Sequence, residues 1–155
     1  MEGESREDGC RMTMVCVDSC DSHGVLDGRL YHPSRDDGVR FHGLMEFFLY
    51  MEELMDGANV PQAYAELRTF GPRPESEAES PPDRGTQEGK LGTFAVRIIF
   101  RRNASWQGRV AWLEGSQESH FRSALELVGL MGSALIGAEM KRKRRSAVSS
   151  ASCGA

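Results

Sequence analysis

The 155-residue chain has no apolar run near the roughly 18 residues that would cross a bilayer. Its opening, MEGESREDG, is charged and lacks the apolar stretch of a secretory leader. Together these lead to the expectation of a cytoplasmic protein with no membrane partner. Cysteine is scarce, with only Cys10, Cys16, Cys20 and Cys153. In a reducing compartment these are free thiols, not a disulfide framework. There is no G-x-S-x-G, no phosphate-cradling glycine loop and no paired-carboxylate motif. His23, His32, His42 and His120 are scattered. The chain is therefore read as a non-enzyme that needs no cofactor. Bases do not predominate either: 23 acids against 19 bases give −4, which excludes a uniformly basic nucleic-acid binder.

Apolar residues make up 39% and there are 17 glycines, the share of a folded globular chain long enough for one domain. Charge is unevenly placed. Lys141, Arg142, Lys143, Arg144 and Arg145 against Glu139 give the tail +4, so the rest of the chain carries −8 of the overall −4. Residues 1–11 are polar and expected to be disordered, as is the basic tail 138–155. Residues 71–91 hold four of the six prolines among acids and small residues, and read as a flexible acidic linker. A short helix is expected from Pro61 to Phe70.

What remains is two blocks, 12–57 and 92–137, and they resemble each other. At an ungapped offset of 80 residues, seven identities appear: Thr13/Thr93, Gly28/Gly108, Arg29/Arg109, Phe41/Phe121, Glu46/Glu126, Met51/Met131 and Gly57/Gly137. The apolar pattern also agrees, with Met14 aligned to Phe94 and Cys16 to Val96. This is read as an internal duplication. In the second block Phe94, Val96, Ile98 and Phe100 alternate with Ala95, Arg97, Ile99 and Arg101, the period of a strand with one apolar face. Trp106 to Trp112 alternates again, and Ser119 is placed to cap a helix with the stripe Phe121, Leu125, Val128, Met131 and Leu135, ended by Gly137. The first block reads likewise, with Asp37 as cap and Phe41, Leu44, Phe48, Met51 and Met55 as stripe. The expected fold is α+β: two tandem ββα units sharing one four-stranded antiparallel sheet, with two helices on one face.

That fold leaves the other sheet face open. By simple alternation it shows Val15, Val17, Arg29, Tyr31, Arg97, Ile99, Arg101 and Arg109, mixing apolar centres with four arginines. A face of this kind binds something or is covered by another subunit. The leading expectation is a non-enzymatic protein-interaction module acting through this face as a homodimer or with another protein. The alternative is a nucleic-acid or anionic-ligand binder using these arginines and the tail Lys141 to Arg145; nucleic acid is less favoured, since only Tyr31 offers a stacking surface. The recurring Arg29/Arg109 and Glu46/Glu126 could also tie strand to helix in each unit. Cys10, Cys16, Cys20 and His23 carry ligand-type side chains, but the spacing lacks a second knuckle. They are a candidate metal cluster that ranks behind buried or strand-borne thiols. Gly129, Ser133 and Gly137 form a small-residue row, read as close helix packing.

The segments NASWQGRVAWLE and FRSALEL, with GRLYHP and FHGLMEFFLYMEELMD before them, resemble a group of small bacterial proteins. The resemblance covers most of 12–137 and brings no activity, ligand or catalytic residue with it.

Overall fold

The computed structural model describes residues 12–58, 70–71, 87–101 and 105–151. The expected helix over 61–70, the linker between 72 and 86 and the N-terminal segment 1–11 lie outside the described residues, apart from Phe70. The elements run β1 (Met12–Cys20), β2 (Leu26–Tyr31), β3 (Val39–His42), α1 (Gly43–Ala58), β4 (Gly92–Phe100), β5 (Gln107–Trp112), β6 (Gln117–Phe121) and α2 (Ala124–Ala151). The fold is α+β, as expected, but the sheet has six antiparallel strands in the order β3-β2-β1-β4-β5-β6. Each unit is βββα, not ββα.

The third strands were hidden by their length. Val39 and Phe41 alternate inward over only four residues, and Phe121 is the one buried residue of its strand. A period of two over so short a run is also compatible with the first turn of a helix. Phe41 and Phe121 therefore belong to strands, and the helices start later than Asp37 and Ser119 imply. The two helix starts differ. Gly43 turns the corner at a φ of +78°, open to glycine without steric cost, and the Glu46 carboxylate accepts from the His42 N–H at 2.7 Å. In the second unit Ser123 Oγ accepts from the Glu126 N–H at 3.1 Å, an N-cap. Glu46 thus serves its helix start through its carboxylate, whereas Glu126 gives only its backbone N–H and turns its carboxylate to Arg122 at 3.5 Å, so the expected ties to Arg29 and Arg109 are not found among the described residues.

The buried helical stripes are Phe47, Met51, Leu54 and Met55 in α1, and Leu127, Met131, Ala134 and Leu135 in α2. Leu125, expected inside, is 81% exposed. Both helices pack on the same sheet face, against Val15, Val17, Leu30, Phe41, Phe94, Val96, Ile98, Val110 and Phe121 in one continuous core. Helix α2 does not stop at Gly137. It runs on through the basic segment to Ala151, so a stretch expected to be disordered is helical. A Cβ at Gly129 or Gly137 would meet nothing within 4 Å, so the small-residue row is not a close helix contact.

Register shows how the halves correspond. Gly28 faces Phe41, and Gly108 faces Phe121. Gly28 also faces Val17, where Gly108 faces Ile98. Both glycines are required: a Cβ would lie 2.2 Å from the Cys16 carbonyl oxygen or 1.9 Å from that of Arg97. From β2 onward the offset is 80, but in the first strands it is 81, with Val15 standing for Val96 and Val17 for Ile98. Met14 pairs with its own counterpart Ala95 across the central seam, so a pseudo-twofold axis passes through that pair.

Candidate functional site

The slip of one residue in the first strand moves every side chain to the opposite face. Aligning Met14 with Phe94 put Val15 and Val17 on the open face. They are instead fully buried on the helix side, each paired across the seam, with Phe94 and with Gly92 respectively. Arg101 is misplaced for a second reason. A bulge between Ile98 and Phe100 sets two residues, Ile99 and Phe100, opposite Gln107. Alternation restarts one residue late, and Arg101 points to the helices. It is 3% exposed and donates from Nη1 to Glu52 Oε2 at 2.9 Å and Asp56 Oδ1 at 2.8 Å. Trp106 Nε1 donates to the other Glu52 oxygen at 2.5 Å, while its ring meets Phe47 and Phe48 edge-on. This cluster staples β4 and the start of the second hairpin to the helix of the first unit.

Arg29 and Tyr31 do stand on the far face, but neither is available. Arg29 grips Asp18 through Nε and Nη2 at 3.0 and 3.1 Å, and Nη1 donates to the Tyr31 hydroxyl at 2.8 Å. Nη2 also reaches the Glu88 carbonyl at 2.7 Å. The Asp18 hydrogen bond raises the guanidinium pKa further above its ordinary value, against the opposing pull of burial. Residues 88–91 are stitched to this end of the sheet. Leu91 N–H donates to the Val17 carbonyl, Gly89 N–H to Thr93 Oγ1 and Lys90 N–H to Asp18. Cys16, Thr93 and Tyr31 are buried here. Residues 88–91 thus cover the far face around Arg29, while Arg40, opposite Arg29 on β3, stays exposed.

The second-unit end differs. On the far face Arg97 stands opposite Arg109, and Arg109 opposite His120, so three basic residues share one rung across β4, β5 and β6. Met12 continues the rung on β1. Like charges directly opposite each other in a sheet are unfavourable. The Glu118 carboxylate lies 3.6 Å from Arg109 Nη1, with the two side chains 56% and 49% exposed. Beside the rung lie the bulged, partly exposed Ile99 and the exposed Phe100. The place of His120 and Glu118 beside Arg109 is not legible in the sequence, because the third strand is not. The rung was findable there only through the Gly108–Phe121 pairing that fixes β6.

The remaining candidates do not converge. Cys10 lies outside the described residues, as does Cys153. Cys16 is buried within the sheet, and Cys20 is exposed at the end of β1. His23 sits in a turn where Asp21 Oδ1 accepts from its N–H and from that of Val25, both at 2.8 Å. Among the described residues no three His, Cys, Asp or Glu side chains are grouped to hold a metal. In the tail Arg144 and Arg145 are exposed, while the side chains of Lys141, Arg142 and Lys143 lie outside the described set. Among the described residues no helix is long and apolar enough to cross a membrane. No protein-family model, curated protein or solved structure matches the chain.

Proposed function

We propose that the protein is a non-enzymatic interaction module, and that its docking surface is the far face of β4, β5 and β6. The observation that carries this reading is the rung of Arg97, Arg109 and His120 in cross-strand register, with exposed apolar surface at Phe100 and Met12 beside it. A partner that brings carboxylates to the half-exposed Arg109 and to His120 covers the apolar flank at the same time. A second copy of the chain meets that description. The rung one step along holds Ala95, Ala111 and Glu118, so a basic and an acidic group sit on either side of small residues. Two such faces related by a twofold axis can set Glu118 of one against the arginines of the other.

Light scattering on the full chain from about 5 to 200 µM tests this. The expected result is a concentration-dependent dimer that Arg109→Glu weakens at least about tenfold, since it replaces attraction by like-charge repulsion. A monomer throughout, with Ile99→Asp and Arg109→Glu both indistinguishable from wild type, overturns it.

The same rung supports a second reading, an anionic ligand or nucleic acid held through these bases and the exposed Arg144 and Arg145. Binding of a labelled oligonucleotide that weakens steeply between 50 and 200 mM salt supports it; no binding, or binding indifferent to salt, removes it.

A further inference from the structure

The sheet ends in two edge strands, β3 and β6, which correspond to each other in the two units. A sheet edge offers backbone hydrogen-bonding groups to another chain. The ladder determines which groups these are. The Leu113 N–H donates to the Thr93 carbonyl at 3.0 Å, next to the pair Phe94–Trp112. Backbone groups alternate along a strand, so those of Arg109 and Ala111 turn to β4 and those of Gly108, Val110 and Trp112 turn to β6. Phe121, Ser119 and Gln117 face these three on β6. The N–H groups of Glu118 and His120 therefore point off the edge, where they meet no acceptor among the described residues. The His120 carbonyl accepts from the neighbouring Ser119 hydroxyl at 3.3 Å, which leaves it a second lone pair. Gln117, Glu118, Ser119 and His120 are all exposed. On β3 the same alternation sends the His42 N–H outward, and there the Glu46 carboxylate already takes it.

The charges on β6 match those of a second β6. Glu118 and His120 stand two residues apart on the far face. When two copies of β6 pair antiparallel with their helices on one side, odd residues face odd and even face even. Centring the pair on Ser119 sets Glu118 of each copy opposite His120 of the other. Centring it on Glu118 or on His120 would set each against its own kind, which is unfavourable. In the Ser119 register the outward N–H groups of Glu118 and His120 meet the carbonyls of the residues they face. The basic rung of Arg97, Arg109 and His120 then runs on into Glu118, Ala111 and Ala95 of the second copy, so it ends on an acid. Strand β3 lacks this match: centred on Phe41 it sets Arg40 against His42, and centred on Arg40 it sets arginine on arginine.

We propose that β6 is a self-pairing edge, and that two copies of the chain join through it into one continuous twelve-stranded sheet. Helix α2 does not block the approach. It starts just after β6, and by Leu135 it lies over the start of β4, with Leu135 Cδ2 only 2.9 Å from where a Cβ on Gly92 would be. It thus runs away from the edge. The contact uses the edge of the sheet and leaves Ile99, Phe100 and Arg109 open on the far face, so it does not depend on docking there.

The test uses the full chain with Cys10→Ser, Cys20→Ser and Cys153→Ser, which leaves only the buried Cys16. All four β6 positions to be changed are exposed, so the variants keep the core intact. Ser119→Cys is expected to give a disulfide-linked dimer under mild oxidation, because Ser119 faces itself at a non-hydrogen-bonded position, where Cα atoms lie about 4.5 Å apart. Gln117→Cys, which faces Phe121 instead, is expected to give none. Adding Glu118→Lys to Ser119→Cys sets base on base and is expected to slow the cross-link at least about tenfold. Adding His120→Glu as well exchanges the charges and is expected to restore it. No cross-link at Ser119→Cys, equal cross-linking at Gln117→Cys, indifference to Glu118→Lys or no rescue by the exchange overturns the edge contact. So does loss of the cross-link in Ile99→Asp, which would place the contact on the far face instead.

Discussion

Arg29 and Arg109 occupy the same place in the two halves and meet opposite fates. Around Arg29 stand Asp18 and Tyr31, and the guanidinium is fully engaged. The corresponding neighbours of Arg109 are Ile99 and Ala111, which offer it nothing. It is left half exposed beside Glu118. The core positions that hold the sheet together, Gly28/Phe41 and Gly108/Phe121, are the same in both. The comparison separates residues that build the repeat from residues that differ between its copies.

The strongest way to break the comparison is through the staple that belongs to one diagonal only. Glu52 holds Arg101 and Trp106 across the halves, whereas its counterpart is Gly132 and that of Arg101 is Cys20, so no second staple shares the load. Glu52→Ala leaves a buried guanidinium short of a partner and an indole N–H without an acceptor. The expected loss is about 3 kcal/mol in urea unfolding. Asp56→Ala, at the half-exposed end of the same cluster, should cost less than about 1 kcal/mol. A loss at Glu52 no larger than at Asp56 would show that the halves hold together by apolar packing alone.

A second, smaller contrast tests the arginines directly. Arg29→Ala removes several charge-assisted bonds in a part-buried place and should cost about 2 kcal/mol. Arg109→Ala should stay within about 0.5 kcal/mol. Ile99→Asp rebuilds the Asp18 position beside Arg109. It should make a subsequent Arg109→Ala cost measurably more than in the wild-type background, a coupling read in a double-mutant cycle. Zero coupling would mean that the neighbour at that position does not decide what the arginine does.

The duplication was legible because it depends on composition at a fixed spacing. Gly28, Phe41 and Met51 recur for packing reasons that survive in the letters. The face of the first strand was not legible, since Met14, Val15, Cys16 and Val17 are all compatible with burial and offer no polar residue to fix the phase. An ungapped comparison hid the single-residue slip. Nor was Arg101, because a bulge is a local exception to the alternation from which faces are read. The face assignments therefore divide. Arg97, Ile99 and Arg109 stand where expected, while Val15, Val17 and Arg101 belong to the core and Arg29 and Tyr31 to an internal clamp.

The smallest expected effect concerns His32, which stands where Trp112 stands in the second unit. Each ring has a buried nitrogen with no partner among the described residues, Nε2 of His32 and Nε1 of Trp112. Ser34 closes on His32 Nδ1 with its backbone N–H at 3.1 Å and its hydroxyl at 2.7 Å. An N–H donor there requires Nδ1 to be the unprotonated nitrogen, which puts the proton on Nε2. Adding a second proton would oppose the Ser34 N–H and charge a ring that burial keeps out of water, so desolvation lowers the His32 pKa from 6.5. The folded chain then binds fewer protons than the unfolded one in mild acid. This contribution to stability is fully present above pH 6.5 and is lost as the pH falls below it, until the folded-state pKa is reached. Because Trp112 does not titrate, the slope belongs to the first unit alone. His32→Gln, whose amide oxygen can still accept from Ser34, should lose that part of the acid-side slope in unfolding midpoints between pH 7.5 and 5. If the two proteins kept parallel midpoints over that range, the buried imidazole would have to be protonating freely, and its likeness to the inert Trp112 would fail.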